Sequence, residues 1–311
     1  MKTESFDFYD RTSLKSYNLD KTMQDQLNAL GSLDVFTRKH CENVAAITCR
    51  LCEYLHCPRG FTEYCIICAY LHDIGKIFIP AKVLQKPGKL TEEEYDIIKS
   101  HTTIGYEMCM KDVHLRPYAA GAYCHHEALN GSGYPRGLTK EKIPYEAQII
   151  RVADEYDAIV SKRQYKSHIG ITDTLQILID NSKPPQNNNF NSTIKNPKYG
   201  KNNPSAVKCL IKVVLDDINF EIYSVESYIE YIEKHLKRLK TIDGYYRKMQ
   251  NARNSSKKEY FKEYMKIYFE KGETVDNFLE VYNDYKTAYN ARKEKVKTLN
   301  DEIKIIKKLK V

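Results

Sequence analysis

Seven side chains that can bind a metal, His40, His72, Asp73, His101, His125, His126 and Asp154, recur between residues 40 and 154, most of them in helical rows that are otherwise apolar. His40 heads the row Val44, Ile47, Leu51; Asp154 shares a row with Ala147, Ile150 and Ala158; His101 lies on the face Ile97, Ile98, Ile104, Gly105, Met108. Rows of this spacing face a core. An imidazole or carboxylate buried there without a partner is penalised. The helices that carry these groups are therefore expected to converge, and a shared metal ion would remove the cost. No other feature narrows the fold as much.

The rest of the chain sets bounds. Its 311 residues, 42% of them apolar, suffice for one large domain or two with a proper core. No apolar run approaches the length of about 18 residues needed to span a bilayer, so no membrane partner is expected. The N-terminus, with Lys2, Glu4 and Asp7, has no signal-peptide apolar region, and a cytoplasmic location is the expectation. There the nine cysteines would stay reduced. The pairs Cys49, Cys52 and Cys65, Cys68 fall inside helical patterns rather than knuckle turns, which favours buried thiols over a zinc ribbon. Of the net charge of +8, Lys286 to Val311 carries +6, from nine basic and three acidic residues. The remainder is near neutral and does not call for nucleic acid. In the tail itself no aromatic platform or glycine-basic repeat accompanies the basic residues.

Helices dominate the pattern, and no convincing series of strands is present, so the fold class is expected to be all-α. The clearest helix start is Leu90-Thr91-Glu92-Glu93-Glu94-Tyr95, a capping box with a hydrophobic staple, from which a helix should run through His101 to about Met108. Residues 1–30 read as an N-terminal helical extension and 31–180 as the domain carrying the seven groups. Residues 181–205, rich in Asn and Pro, read as a surface loop or linker. A helix over 206–221 is expected to pack on that domain. In 222–311, Val225, Ile229, Ile232, Leu236 and Leu239, and again Phe278, Tyr282, Tyr285, Tyr289, Arg292, Val296, Leu299, Ile303 and Ile306, alternate by fours and threes. Such seams predict a helical hairpin or coiled-coil arm, either a solvated appendage or a surface for a second copy or a protein partner.

Imidazole plus carboxylate without thiolate suits Fe, Mn, Zn or Ni over Ca or Mg. Seven ligands exceed the needs of one tetrahedral ion, and two ions bridged by a carboxylate are the economical arrangement. Such pairs hydrolyse phosphate esters.

The segment Leu71-His72-Asp73-Ile74-Gly75-Lys76-Ile77-Phe78-Ile79-Pro80, then Lys86-Pro87-Gly88-Lys89-Leu90-Thr91, resembles the HD-GYP branch of the HD phosphohydrolase superfamily. So do His125-His126-Glu127 with Gly131, Gly133-Tyr134-Pro135 and Gly137-Leu138, and further on Ile149 to Ala158 and Arg163-x-Tyr165-Lys166. The likeness covers residues 36–166. It implies cleavage of cyclic di-GMP, a cyclic dinucleotide, by a metal-bridging hydroxide. It makes the seven residues metal ligands, Asp73 the bridge, Lys76 the group that neutralises the attacked phosphate, and Arg163 and Lys166 the phosphate holders. Iron or manganese is the expected metal pair, with zinc or nickel as alternatives. Gly133 frees the backbone and Pro135 stiffens it, so that Tyr134 is expected to point outward from a turn that is either purely structural or, as in the resembled family, a partner-docking loop.

Two departures from the family pattern matter. Phe36 stands where some members carry a third-metal glutamate, so two metals are expected; Asn130 replaces an aspartate and keeps only its turn role. Residues 1–30 are too few for a receiver, PAS or membrane sensor domain, so the expectation is that regulatory input is either missing or enters through the C-terminal arm. Two alternatives are another cyclic dinucleotide or nucleotide as substrate, and a scaffold acting through that arm with a vestigial site.

Overall fold

The computed structural model describes residues 28–161, 169–185 and 193–311. Two compact units result, the first reaching to Val214 and the second formed by Leu215–Lys308. Apart from one isolated antiparallel bridge between Asn130 and Thr139, the regular structure among the described residues is helical.

The first unit is built from α1 (Val35–Tyr54), α2 (Arg59–Leu71), α3 (Glu92–Lys99), α4 (His101–Lys111), α5 (Ala119–Cys124), α6 (Tyr145–Val160) and α7 (Ile171–Ser182). Helix α2 is its centre. Every residue from Cys65 to Leu71 is buried, which is what a helix apolar on all sides requires. Helix α1 packs on α2 and on α6, and α5 packs on α2 and α4. Helix α1 begins where the Asp34 side chain accepts hydrogen bonds from the amides of Phe36 and Thr37, both at 3.1 Å. Helix α3 begins with the expected capping box of Thr91 and Glu94.

One long helix does not run from Thr91 to Met108. It breaks at Ser100, whose hydroxyl donates to the Ile97 carbonyl at 2.6 Å while His101 Nδ1 donates to Ile98 at 2.5 Å. Side chains thus compete for carbonyls that a continuous helix would use. Helix α3 buries none of its residues, Ile97 included, and the inward face begins at His101.

Within the expected loop, the described residues 193–203 form no helix or strand. Residues 193–203 are held on the first unit by hydrogen bonds to Asn130, Leu129 and Asn181. Asn203 then accepts from the amides of Ser205 and Ala206 and starts α8 (Pro204–Gln250), with proline in its first turn. The expected separate helix 206–221 is simply the start of α8. Ala206, Val207, Leu210, Val213 and Val214 are buried there, and Val213 accepts a hydrogen bond from Arg50 of α1.

In the second unit the rest of α8 pairs with α9 (Ser255–Lys266) and α10 (Phe278–Ile306). Leu239, Ile242, Met265, Phe278 and Tyr282 form its core. Arg238 binds Glu273, Glu233 accepts from Tyr289, and Lys295 reaches Glu221. Partner numbers fall as those on α8 rise, so the two long helices are antiparallel, a hairpin whose seam follows the predicted alternation.

Candidate metal centre

Five elements bring the seven groups together. His40 comes from α1, His72 and Asp73 from the end of α2 and the turn after it, His101 from the first position of α4, His125 and His126 from the end of α5, and Asp154 from α6. Two tight contacts set this convergence. Gly75 lies directly on the His101 backbone, where any Cβ would collide, so the turn after Asp73 seats against the start of α4. Gly133 is likewise pressed on the backbone of His126 and Ala128.

The histidines fall into two groups of potential ligands: His40 with His72 and Asp73, and His101 with His125 and His126, each set of ligand atoms within 4.8 Å. Both carboxylates are shared between them. Asp73 Oδ2 stands 3.3 Å from His72 Nε2 and 3.7 Å from His40 Nε2, while its Oδ1 stands 3.3 Å from His101 Nε2 and 4.0 Å from His125 Nε2. Asp154 Oδ1 lies 3.0 Å from His40 Nε2, and its Oδ2 lies 3.6 Å from His126 Nδ1. Each carboxylate therefore turns one oxygen to each group.

The imidazoles are oriented from behind. His72, His101 and His125 donate Nδ1–H to the carbonyls of Ala69 (2.6 Å), Ile98 (2.5 Å) and Ala122 (3.0 Å), which leaves Nε2 unprotonated toward the centre. His40 Nδ1 bonds Asp157 at 2.6 Å, and Asp157 is itself fixed by Asn43 and Ser161, both at 2.9 Å. Asp157 has a place at this centre that the sequence reading left without a role. Its signal was a second acid three residues after Asp154, on the same helix face.

Burial opposes ionisation of Asp73, but Lys76 and the surrounding histidines outweigh it and hold its carboxyl well below the usual range. Asp154 is lowered likewise, against burial, chiefly by His40 and His126. Burial pushes His125, His126 and His101 down, so they are neutral at pH 7. Burial also acts to lower His40, yet its bonds to Asp154 and Asp157 raise it to about 9. Neutral imidazoles and ionised carboxylates are the states that ligate cations. The donor set fits a metal on a second count: His72 Nε2 and Asp73 Oδ1 are buried with no hydrogen-bond partner, a costly condition that a cation would relieve. Among the described residues neither group of potential ligands contains a cysteine, and all nine cysteines are free.

Lys76 Nζ sits 2.5 Å from Asp73 Oδ2. Tyr134 does not point outward. Its ring lies over His126 with centroids 4.7 Å apart and meets Tyr95 edge-on, because the seat of Gly133 on the His126 backbone turns the loop back across the site. Glu127 anchors the same loop by accepting from the amides of Arg136 (2.8 Å) and Leu138 (2.7 Å), and Asn130 closes its turn on Ser132. Arg163 and Lys166 lie outside the described residues, as does most of the extension 1–30.

The helical unit and its histidine-aspartate centre match a family model described as "HD domain" over residues 20–185. The chain belongs to the HD domain family. It is similar to a cyclic di-GMP phosphodiesterase of Thermotoga maritima, 44% identical over 136 residues, covering 43% of this chain and 37% of that protein. The cyclic di-GMP phosphodiesterase response regulator RpfG of Xanthomonas campestris is 40% identical over 148 residues, covering 47% and 39%. A 3'3'-cGAMP-specific phosphodiesterase of Vibrio cholerae is 34% identical over 146 residues, covering 47% and 32%. The chain thus spans less than half the length of these relatives. Among the described residues no helix is long and apolar enough to cross a membrane.

Proposed function

We propose that this chain is a phosphodiesterase that opens a cyclic dinucleotide, cyclic di-GMP in the first instance, with the aid of two divalent cations. The observation that carries this reading is the division of Asp73 and Asp154 between two histidine groups, with Lys76 against one of the shared oxygens. His40, His72, Asp73, His101, His125, His126 and Asp154 would hold the cations, Asp73 bridging them. Nitrogen and oxygen donors without thiolate favour iron or manganese, with zinc or nickel as alternatives. Bound there, such a pair supplies Lewis acidity and lowers the pKa of water toward neutrality.

The residues of the chain do the rest. The carbonyls of Ala69, Ile98 and Ala122 keep three imidazoles in one tautomer and one orientation. Lys76 can transfer its ammonium from Asp73 to a non-bridging phosphate oxygen and offset the negative charge that grows there in the transition state. Lys76 and His126, with 13% and 23% of their side chains exposed, are the most open members of the group, so the phosphodiester approaches from their side. Tyr134 over His126 shields that approach from bulk water. Arg163 and Lys166 hold the flanking phosphates by charge and reach. A cytoplasmic location accords with nine free thiols. The Gly133-Tyr134-Pro135 loop and the helical hairpin are the candidate surfaces for a protein partner or a second copy.

A second substrate, 3'3'-cGAMP, is favoured by the likeness to the Vibrio protein and requires only one base to differ. The test is to incubate the anaerobically purified, Fe²⁺- or Mn²⁺-loaded protein with cyclic di-GMP, 3'3'-cGAMP, cyclic di-AMP and cyclic GMP and to separate products by chromatography. Consumption of cyclic di-GMP that is lost in Asp73→Ala supports the proposal. An intact cyclic di-GMP pool beside a consumed competitor replaces the substrate, and no turnover of any of the four overturns the activity.

A further inference from the structure

His126 is held differently from its neighbours. His72, His101 and His125 each tie Nδ1 to a carbonyl of the preceding turn, and His40 ties its own to Asp157. His126 has no such tether, for its Nδ1 faces Asp154 Oδ2 at 3.6 Å. Its place depends instead on its backbone. The His126 carbonyl accepts from the Tyr134 amide at 3.2 Å and from Arg151 Nη1 at 3.1 Å. Arg151 lies on α6, three residues before Asp154, so this bond fixes the two partners of one metal group to each other.

Arg151 is aimed from two sides: its Nη2 stands 4.0 Å from Glu155 Oε2 one turn along α6, and a second partner comes from outside the motif region. Arg151 Nε donates to Asn202 Oδ1 at 2.9 Å, and Asn202 Nδ2 donates to Glu155 Oε2 at 2.7 Å. Glu155 takes a second bond from Asn181 at 2.6 Å. Asn202 is fully buried, and its amide spends one end on Arg151 and the other on Glu155. An arginine side chain has many rotamers, and a buried partner at Nε selects the one that reaches the His126 carbonyl.

We infer that Asn202 is a positioning residue for the second metal group: through Arg151 it fixes the backbone of His126 and so the binding strength of the His101, His125 and His126 set. The inference rests on the metal-centre reading above. Groups that orient ligands from behind typically change metal affinity about 10- to 100-fold when removed.

The test is a titration of the metal-free full chain with Mn²⁺, free ion being read by electron paramagnetic resonance, alongside thermal melting. Wild type should bind two ions. Asn202→Ala should bind one ion as before and the second at least about tenfold more weakly. Asn181→Ala removes a bond to the same Glu155 without touching Arg151; it should melt lower yet bind both ions normally. Arg151→Gln should repeat the Asn202→Ala result, and it carries the test if Asn202→Ala does not fold. Unchanged binding of both ions in Arg151→Gln or in folded Asn202→Ala overturns the inference, as does an equal loss in Asn181→Ala, which would mark a general loosening. Absence of Mn²⁺ binding by wild type would instead bring down the metal-centre reading itself, and this inference with it.

Discussion

Replacing Lys76 by Met separates two roles that one ammonium plays. Without metal, Lys76 is the closest cation to Asp73, 2.5 Å from Oδ2, and both side chains are largely buried. Breaking a buried pair by removing one partner costs about 3–5 kcal/mol. The lower end applies, because protonated His40 stands 3.7 Å from the same oxygen and takes up part of the charge. A loss of about 3 kcal/mol lowers the melting temperature of a unit this size by about 6–12 °C. With cations bound to Asp73 the ammonium is no longer needed as a counter-charge, and the deficit should shrink below about 1 kcal/mol. Mn²⁺ should also bind at least as tightly as in wild type, since Lys76 competes for Asp73 Oδ2. Turnover should nevertheless fall about 100- to 1000-fold, the usual consequence of removing one transition-state donor. Calorimetry with and without Mn²⁺, a Mn²⁺ titration and product chromatography at saturating cyclic di-GMP measure the three quantities. Equal destabilisation in both states, or weaker Mn²⁺ binding, would make Lys76 part of the metal scaffold. Unchanged turnover would refute its contact with phosphate.

Three further outcomes are expected. Asp157→Ala leaves His40 Nδ1 without its acceptor and should weaken Mn²⁺ binding about 10- to 100-fold, with activity restored at high Mn²⁺; an unaltered isotherm would refute the orienting role. Gly133→Ala drives a methyl group into the backbone of His126 and Ala128, and should lower stability by at least about 2 kcal/mol and open the loop to proteolysis, whereas a wild-type melt and digest would show that the loop does not need this seat. In the second unit, hydrogen bonds from Arg238 lower the Glu273 pKa below its ordinary 4.5. A carboxylate so lowered adds stability above pH 4.5 that is lost as pH falls through its folded value. Glu273→Gln should therefore cost about 1–3 kcal/mol at pH 7 and progressively less toward pH 3; a deficit that stays constant in melts across this range would count against the pair.

Periodicity made part of this molecule legible and was silent on the rest. The rows of His40 and Asp154 could be read because a helix repeats its face every three to four residues, and a polar residue in an apolar row announces itself, whereas the row assigned to His101 ran into Ile97 and Ile98 of a separate helix. The antiparallel hairpin was legible for the same reason. Asp157, Glu127 and Arg151 left weaker marks, since each acts on a ligand or its backbone through a partner that only the fold brings near. For the described part of the Asn-rich segment, composition indicated a loop but not what fixes it. Asn202 and Asn203 are buried, but their burial is compensated by paired amide hydrogen bonds to Arg151, Glu155 and Gln148, a currency that apolar counting does not register. For Tyr134, the stiffness of Pro135 said that the loop is held but not in which direction. That direction is set by Gly133, which can rest on the His126 backbone because it has no side chain.

The charge inventory of the centre supports the proposed anionic substrate. Asp73 and Asp154 contribute two negative charges, Lys76 one positive, and His101, His125 and His126 are neutral at pH 7. Without metal, His40 is protonated between Asp154 and Asp157 and offsets part of the carboxylate charge. Two divalent cations in place of that proton, as proposed, would overshoot: Asp73 and Asp154 could not neutralise them, and Lys76 would add to the excess. A buried excess of positive charge is costly unless an anion joins it. His126 and Lys76, the most exposed members, leave room for one on their side. Under the proposed function, five imidazoles and only two carboxylates would set a loaded centre that a phosphodiester completes. A third carboxylate among the ligands would hold the cations more tightly and the substrate less.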